Sequence, residues 1–145
     1  MAEVARLFRA YEAWLQVPLC LEGFEAEVAS LPGFYIAPAG GLWLARVEGR
    51  ACGVVGLRPL EIAGACEMKR LWVEPSAQGL GLGRRLAETA LAGAKERGYS
   101  RLLIDTLPKL ETALALYRAL GFRPRNRYND NALPGVLFFE KDMTP

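Results

Sequence analysis

Residues 66–98 read CEMKRLWVEPSAQGLGLGRRLAETALAGAKERG, and three kinds of local order follow one another along them. Cys66 to Val73, ending on Leu71, Trp72 and Val73, is a strand-forming run that Glu74-Pro75 breaks. Gln78-Gly79-Leu80-Gly81-Leu82-Gly83 follows at once. From Gly83 onward Leu86, Ala87, Ala90, Leu91 and Ala94 form an apolar stripe at helical spacing, with Gly98 placed to cap its end. The order is strand, glycine-rich loop, helix.

Beyond this segment, Arg101 to Thr106 reads as a strand, Pro108 to Leu120 as a helix closed by Gly121, and Val136 to Lys141 as a final strand after a polar loop. Before it, Leu42 to Val47 and Ala51 to Leu57 read as a hairpin around Glu48-Gly49-Arg50, and Glu61 to Ala65 as a turn. Val4, Leu7, Phe8, Tyr11, Trp14 and Leu15 give Ala2 to Gln16 an amphipathic helical face, stopped by Pro18. A second short helix is expected from Gly23 to Leu31, ended by Pro32-Gly33. The elements read α-α-β-β-β-α-β-α-β. Hairpins predict antiparallel pairing and the passage from Cys66 to Thr106 predicts one parallel pair, so an α/β protein with a mixed sheet is expected.

At 145 residues the chain has room for one domain with a real core, and too little for two well-developed ones. A net charge of +2 from nearly balanced acids and bases does not suggest nucleic acid as the main partner. The three cysteines, Cys20, Cys52 and Cys66, lie far apart without a C-x-x-C pair, which supports neither a disulfide framework nor structural zinc. A soluble protein of the reducing cytoplasm is expected: no leader pattern opens the chain and no run reaches bilayer length. The absence of histidine removes Ser-His-Asp, Cys-His and H-E-x-x-H chemistry. Catalysis would rest on carboxylates, tyrosine, water and backbone groups, with no metal.

A pyrophosphate requires several backbone N–H groups aimed into one concavity, and glycines permit that close approach. Gly79, Gly81 and Gly83 supply the freedom, and the first amides of the following helix would face the same anion, with Arg84 and Arg85 nearby. The P-loop pattern fails because Arg84-Arg85 stands where lysine and Ser or Thr are required; G-x-G-x-x-G fails because its last glycine would fall on Arg84 or Leu86. Taken alone, the run is equally compatible with a turn that merely packs a strand against a helix.

Gln78, Gly81 and Gly83, the preceding Leu71-Trp72-Val73-Glu74-Pro75, and the later Ala115-Leu116-Tyr117-Arg118-Ala119-Leu120-Gly121-Phe122 together resemble the GNAT superfamily of acyl-CoA-dependent N-acyltransferases. The first block matches the family signature of Gln or Arg, two residues, Gly, one residue, Gly or Ala. The second follows in order at an appropriate distance. From Leu42 onward nearly all of the chain fits. The resemblance implies one GNAT-like domain over 1–145: a variable helical region over 1–37, and over 41–145 a core with the CoA site. Its mixed, mostly antiparallel sheet would have about six to seven strands, with helices on both faces.

The resemblance also implies roles. Backbone amides of Gln78, Gly79, Leu80, Gly81, Leu82, Gly83 and Arg84 would hold the CoA pyrophosphate. Leu71 and Val73 would pair through their main chain with the pantetheine arm, the Leu71 amide polarising the thioester carbonyl. Glu67, eleven residues before Gln78, matches the general-base glutamate of the histone-acetyltransferase branch, against an ordinary strand glutamate paired with Lys69 or another base. Tyr117 matches the tyrosine that protonates the departing thiolate, against a core tyrosine beside Leu114, Leu116 and Leu120. Pro108-Lys109-Leu110 stands where many members carry a CoA-contacting Asn, and Lys109 is a substitute that could reach a phosphate.

Alternating Arg123, Arg125 and Arg127 would share a face of an extended chain, where a 3′-phosphate or acidic substrate could meet them. Tyr128, Asn129, Asp130 and Asn131 form a polar loop that could border the acceptor site and are also standard turn formers. The resemblance implies direct transfer from acetyl-CoA, or a related acyl-CoA, to a primary amine in a ternary complex. A non-catalytic acyl-CoA sensor of the same fold is the alternative. Neither nucleic acid nor membrane is expected as a partner, and a homodimer is left open.

Overall fold

The computed structural model describes residues 1–17 and 23–144; Pro18 and Cys20 lie outside them. The described elements are α1 (Ala2–Leu15), α2 (Phe24–Ala29), β1 (Gly41–Val47), β2 (Arg50–Pro59), β3 (Ala65–Val73), α3 (Leu82–Glu96), β4 (Arg101–Thr106), α4 (Glu111–Ala119), β5 (Arg123–Pro124) and β6 (Leu137–Asp142). The sheet has six strands in the order β1-β2-β3-β4-β6-β5. Among the described residues β3 and β4 run parallel, and every other neighbouring pair is antiparallel. The expected mixed, mostly antiparallel sheet is what forms.

Each face of the sheet carries its own apolar layer. Leu86, Ala87, Ala90, Leu91 and Ala94 of α3 and Leu114 and Tyr117 of α4 pack with Cys66, Met68, Leu102 and Ile104. The alanines of the stripe let α3 lie close to the strands. Val4, Leu7, Phe8 and Leu15 of α1 and Phe24 and Val28 of α2 pack on the opposite face with Val54 and Trp72. Tyr35 fixes this second layer: its ring meets Phe8 edge-on at 5.9 Å and lies so close over Gly56 that an added Cβ there would sit 2.6 Å from Cε1. A side chain at 56 would push Tyr35 off the sheet.

Two features differ from the regular strands read in the sequence. In β3, Lys69 opposes Gly56 and Trp72 opposes Val54, so Arg70 and Leu71 together face one residue of β2. Arg70 takes φ 60 at this bulge. The extra residue switches the alternation: Cys66 and Met68 lie in the α3/α4 layer, as do Leu71 and Val73, while Trp72 turns to the α1/α2 layer. Secondly, β3 and β4 pair over only three positions, Ala65 to Glu67 against Arg101 to Leu103, and then part.

Smaller differences lie at element ends. α4 begins at Glu111 rather than Pro108, because the chain first makes a turn in which the Leu110 amide donates to the Leu107 carbonyl at 3.0 Å and the residue before a proline avoids helical backbone. Strand β5, absent from the sequence reading, is two residues paired with β6.

Candidate functional site

Where β3 and β4 part, a cleft of about 540 Å³ opens. Leu71 and Val73 line it from β3; Gln78, Gly79, Gly81, Leu82, Gly83 and Arg84 line it from the glycine-rich loop and the start of α3. Tyr117 of α4 lines it as well. Of the residues to which the resemblance assigns CoA-binding or catalytic roles, Leu80 and Glu67 are not in this wall. Leu80 points outward and is 59% exposed.

The loop has the form that an anion needs. Gly79 and Gly81 take φ 86 and 76, backbone that L side chains rarely adopt, and a Cβ at either position would meet nothing within 4 Å. The glycines therefore border open space rather than a packed neighbour. No side chain caps α3, and Arg85 is the first residue of the helix start whose amide reaches a backbone acceptor, Gly81 O at 3.2 Å. The amides of Leu82, Gly83 and Arg84 before it reach no backbone acceptor among the described residues, and these residues line the cleft, where the helix dipole would add to their attraction for phosphate. The residues present thus fit a diphosphate. Gln78 differs from its neighbours: its amide is committed to Pro75 O at 3.3 Å, and its side chain donates to Val73 O at 3.1 Å. Arg84 extends from α3 beside Glu88, at 3.7 Å.

Tyr117 is buried, stacked edge-on against Phe122 at 5.7 Å. Burial raises its pKa, with the neighbouring Tyr11 and Asp105 adding to the effect. The phenol stays protonated, and none of the hydrogen bonds found among the described residues uses it. The indole Nε1 of Trp72, also in the cleft wall, is buried and has no hydrogen-bond partner among the described residues.

A second cavity, of about 250 Å³, adjoins the cleft through Arg70 and Asp105, which line both. Glu67 belongs to this cavity and is 1% exposed. Tyr128 donates its phenolic hydrogen to Glu67 Oε2, Asn129 Nδ2 lies 3.4 Å from the same oxygen, and Arg58 Nε is 3.5 Å from Oε1. Burial pushes the Glu67 carboxyl above its ordinary value, Asp105 adding to the effect, and the charges of Lys69 and Arg58 and the Tyr128 hydrogen bond pull against it. Asp105 goes the other way. Burial would raise it too, but Lys69 at 2.9 Å and the amides of Asn129 and Asn131 at 2.8 and 3.0 Å hold it below the usual range. One carboxylate is thus held below its ordinary value and the other above it, a division of the kind that general acid–base work uses.

Beneath these groups Arg70, at the bulge, makes two 3.0 Å hydrogen bonds with Glu27 of α2, which also accepts 2.8 Å from Tyr35. Burial opposes ionisation of Glu27, and Arg70 outweighs it. Of these residues the sequence had marked Tyr128, as part of a polar loop that could border the acceptor site, but not Glu27, Arg70 or Asp105. Asp105 left only the trace of an acid inside the apolar run Arg101 to Thr106. The 128–131 loop does border the second cavity, contributing Asn129, Asp130 and Asn131 to its wall.

Other residues have different placements from those expected. Lys109 lines the cleft but donates to the Leu15 carbonyl at the end of α1. Arg125 pairs with Glu140 at 2.7 Å and Arg127 donates to Asn131 O at 2.7 Å while covering Phe138, so both hold the loop in place; Arg123 is exposed. Cys66 is buried, and that burial pushes its thiol up to about 12, so it is a packed, neutral group rather than a nucleophile.

This architecture has counterparts. An acetyltransferase of the GNAT family from Staphylococcus aureus superposes with a TM-score of 0.82 over 99% of this chain and 92% of its own, at 18% identity. A GNAT family acetyltransferase from Elizabethkingia anophelis, solved with acetyl-CoA bound, does so with a TM-score of 0.61 over 77% and 81%, at 24% identity. In sequence, an uncharacterized N-acetyltransferase of Schizosaccharomyces pombe is 34% identical over 139 residues, 95% of this chain and 85% of the relative. Human N-acetylaspartate synthetase is 29% identical over 79% of this chain and 40% of its own length. The profile of the acetyltransferase (GNAT) family matches residues 5–122, a span that takes in both the glycine-rich loop and the Tyr117 helix, and the chain belongs to that family.

Proposed function

We propose that this protein moves an acetyl group from acetyl-CoA to a primary amine by direct attack in a ternary complex, working in the cytoplasm as one domain over residues 1–145. The observation that carries this reading is the parting of β3 and β4: a cleft with unspent amides at one end and the Tyr117 phenol in its wall adjoins, through Arg70 and Asp105, the cavity that holds Glu67. The naming of the S. pombe relative as an N-acetyltransferase and the acetyl-CoA in the E. anophelis structure support it.

Acetyl-CoA supplies a thioester carbonyl open to attack by an amine. On this reading the amides from Gly79 to Arg84 hold the pyrophosphate, with Gln78 acting through its side chain on Val73. The main chain of Leu71 and Val73 guides the pantetheine arm, and the Leu71 amide faces the acyl oxygen. Glu67 takes the ammonium proton, directly or through a water between the two cavities, and its raised pKa makes it a stronger base than a solvated glutamate. Tyr117, protonated and uncommitted, returns a proton to the departing sulfur.

The test is release of CoA thiol from acetyl-CoA across a chemically varied panel of amines, repeated with Glu67→Gln over pH. Turnover should rise with pH through the Glu67 ionisation, and Glu67→Gln should lose about 10²-fold or more and flatten that limb. An unchanged profile removes Glu67 from the mechanism. Acetyl-CoA binding without thiol release from any amine would favour a sensor.

A further inference from the structure

The cavity that holds Glu67 is lined by carboxylates and cations whose hydrogen bonds are unevenly spent. Glu27 accepts from Arg70 and Tyr35; Asp105 accepts from Lys69, Asn129 and Asn131; Glu67 accepts from Tyr128 and Asn129. Lys69 and Arg70 are committed to Asp105 and Glu27 in the same bonds. Arg58 is different. Its Nε, although 3.5 Å from Glu67 Oε1, is buried and forms no hydrogen bond among the described residues. Its guanidinium is held by stacking on the Phe34 ring, 4.4 Å from the centroid. Its side chain stays 27% exposed where it borders the cavity.

We infer that Arg58 anchors an anionic group on the acceptor, so that the amine acetylated here is a small amino carboxylate. This rests on the acetyl-transfer reading above. A guanidinium offers a planar pair of donors that matches the two oxygens of a carboxylate, and Phe34 orients that plane in advance. With the carboxylate on Arg58, the amine end of the molecule lies toward Asp105 and Arg70, where the cavity opens into the cleft. Glu67, beside Arg58, is then within the reach of the same small molecule.

The volume of about 250 Å³ suits a compact metabolite rather than a folded partner. A diamine would carry its second cation to carboxylates that already have their donors, and against Arg58. Asp130 would offer it an acid, but at an exposed position where solvent and salt weaken the attraction.

The experiment compares free amino acids, the same amino acids as C-terminal amides, and diamines of similar length in acetyl-CoA-dependent thiol release, with calorimetric binding of the free amino acids in the presence of CoA. Free amino acids should exceed their amides in kcat/KM by at least about tenfold. Arg58→Gln should bring that ratio toward one through a higher KM for the free acid, and Arg58→Lys should restore part of it. The wild-type ratio decides the matter even if a variant fails to fold. Amides used as well as acids, or diamines preferred, overturn the Arg58 anchor and leave acetyl transfer standing. If no amine releases thiol, the transfer reading falls. Calorimetric binding that depends on Arg58 then keeps the anchor, and absence of binding overturns it too.

Discussion

The phenol of Tyr128 donates a hydrogen bond to Oε2 of Glu67 across 61 residues of chain, and this contact acts on a carboxylate subject to two opposed influences. Burial raises the Glu67 pKa, and the Tyr128 hydrogen bond lowers it. Tyr128 is half-buried, and desolvation together with the Glu67 charge raises its pKa, so it remains a donor throughout the range in which Glu67 titrates. Removing the phenol should leave burial less opposed. Tyr128→Phe is expected to move the acidic limb of the kcat/KM profile to higher pH, by roughly one unit. A limb that stays in place or moves to lower pH would separate Tyr128 from the proton transfer.

Tyr117→Phe isolates the general acid. Because no hydrogen bond among the described residues depends on that hydroxyl, the substitution removes the donor without leaving a protein group unpaired. Thermal stability should be unchanged, the KM for acetyl-CoA should be unchanged, and kcat should fall by about 10²-fold. Full turnover at saturating acetyl-CoA would show that the thiolate is protonated by another group.

Gly83→Ala separates helix stability from phosphate binding. Gly83 lies in the first turn of α3 without a positive φ, and an added Cβ would come no closer than 4.0 Å, to Val73 Cγ2. Alanine is the better helix former by up to about 1 kcal/mol, so the melting temperature should rise. The same methyl would project beside the amides proposed to meet the pyrophosphate, so the KM for acetyl-CoA should rise as well. A variant both more stable and equally tight for acetyl-CoA would contradict the cradle.

Glu27 and Arg70 are each 4% exposed at the side chain, and breaking such a pair leaves a buried charge uncompensated. Glu27→Gln should cost about 3–5 kcal/mol by denaturant unfolding, and a paired apolar replacement of both residues should recover much of it. The folded-state pKa of Glu27 is lowered, so the unfolded chain binds the proton more readily. Stability from this pair is therefore complete above the ordinary glutamate value and is lost as pH falls through the depressed one. In Glu27→Gln that part of the acid dependence should disappear.

Much of the frame was legible in local sequence. The α3 stripe from Leu86 to Ala94, the hairpin around Gly49 and the succession of strand, glycine loop and helix depend on periodicity and on glycine backbone, which neighbouring residues specify between themselves. The two motif blocks likewise marked the cleft, since Leu71, Val73, the loop and Tyr117 do line one opening. The β3 bulge escaped notice because Cys66 to Val73 contains no glycine or proline to signal it.

The second cavity was far less legible. Glu67 could be named from its spacing, but whether it was an exposed strand glutamate or a buried base depended on Arg58 from β2, Asp105 from β4 and Tyr128 from the loop before β6. Those partners are remote in sequence, and Glu27, Arg70 and Asp105 look like ordinary charges until the chain is folded.

By itself the sequence determined the class of the protein, most of the order of its elements and the position of the glycine-rich turn between β3 and α3, because backbone freedom and apolar spacing are local properties. Only the tertiary structure decided which carboxylate is raised and which is held ionised, and left the Arg58 Nε without a hydrogen bond among the described residues. Those outcomes depend on burial and on charges brought together by the sheet, which long-range packing alone creates.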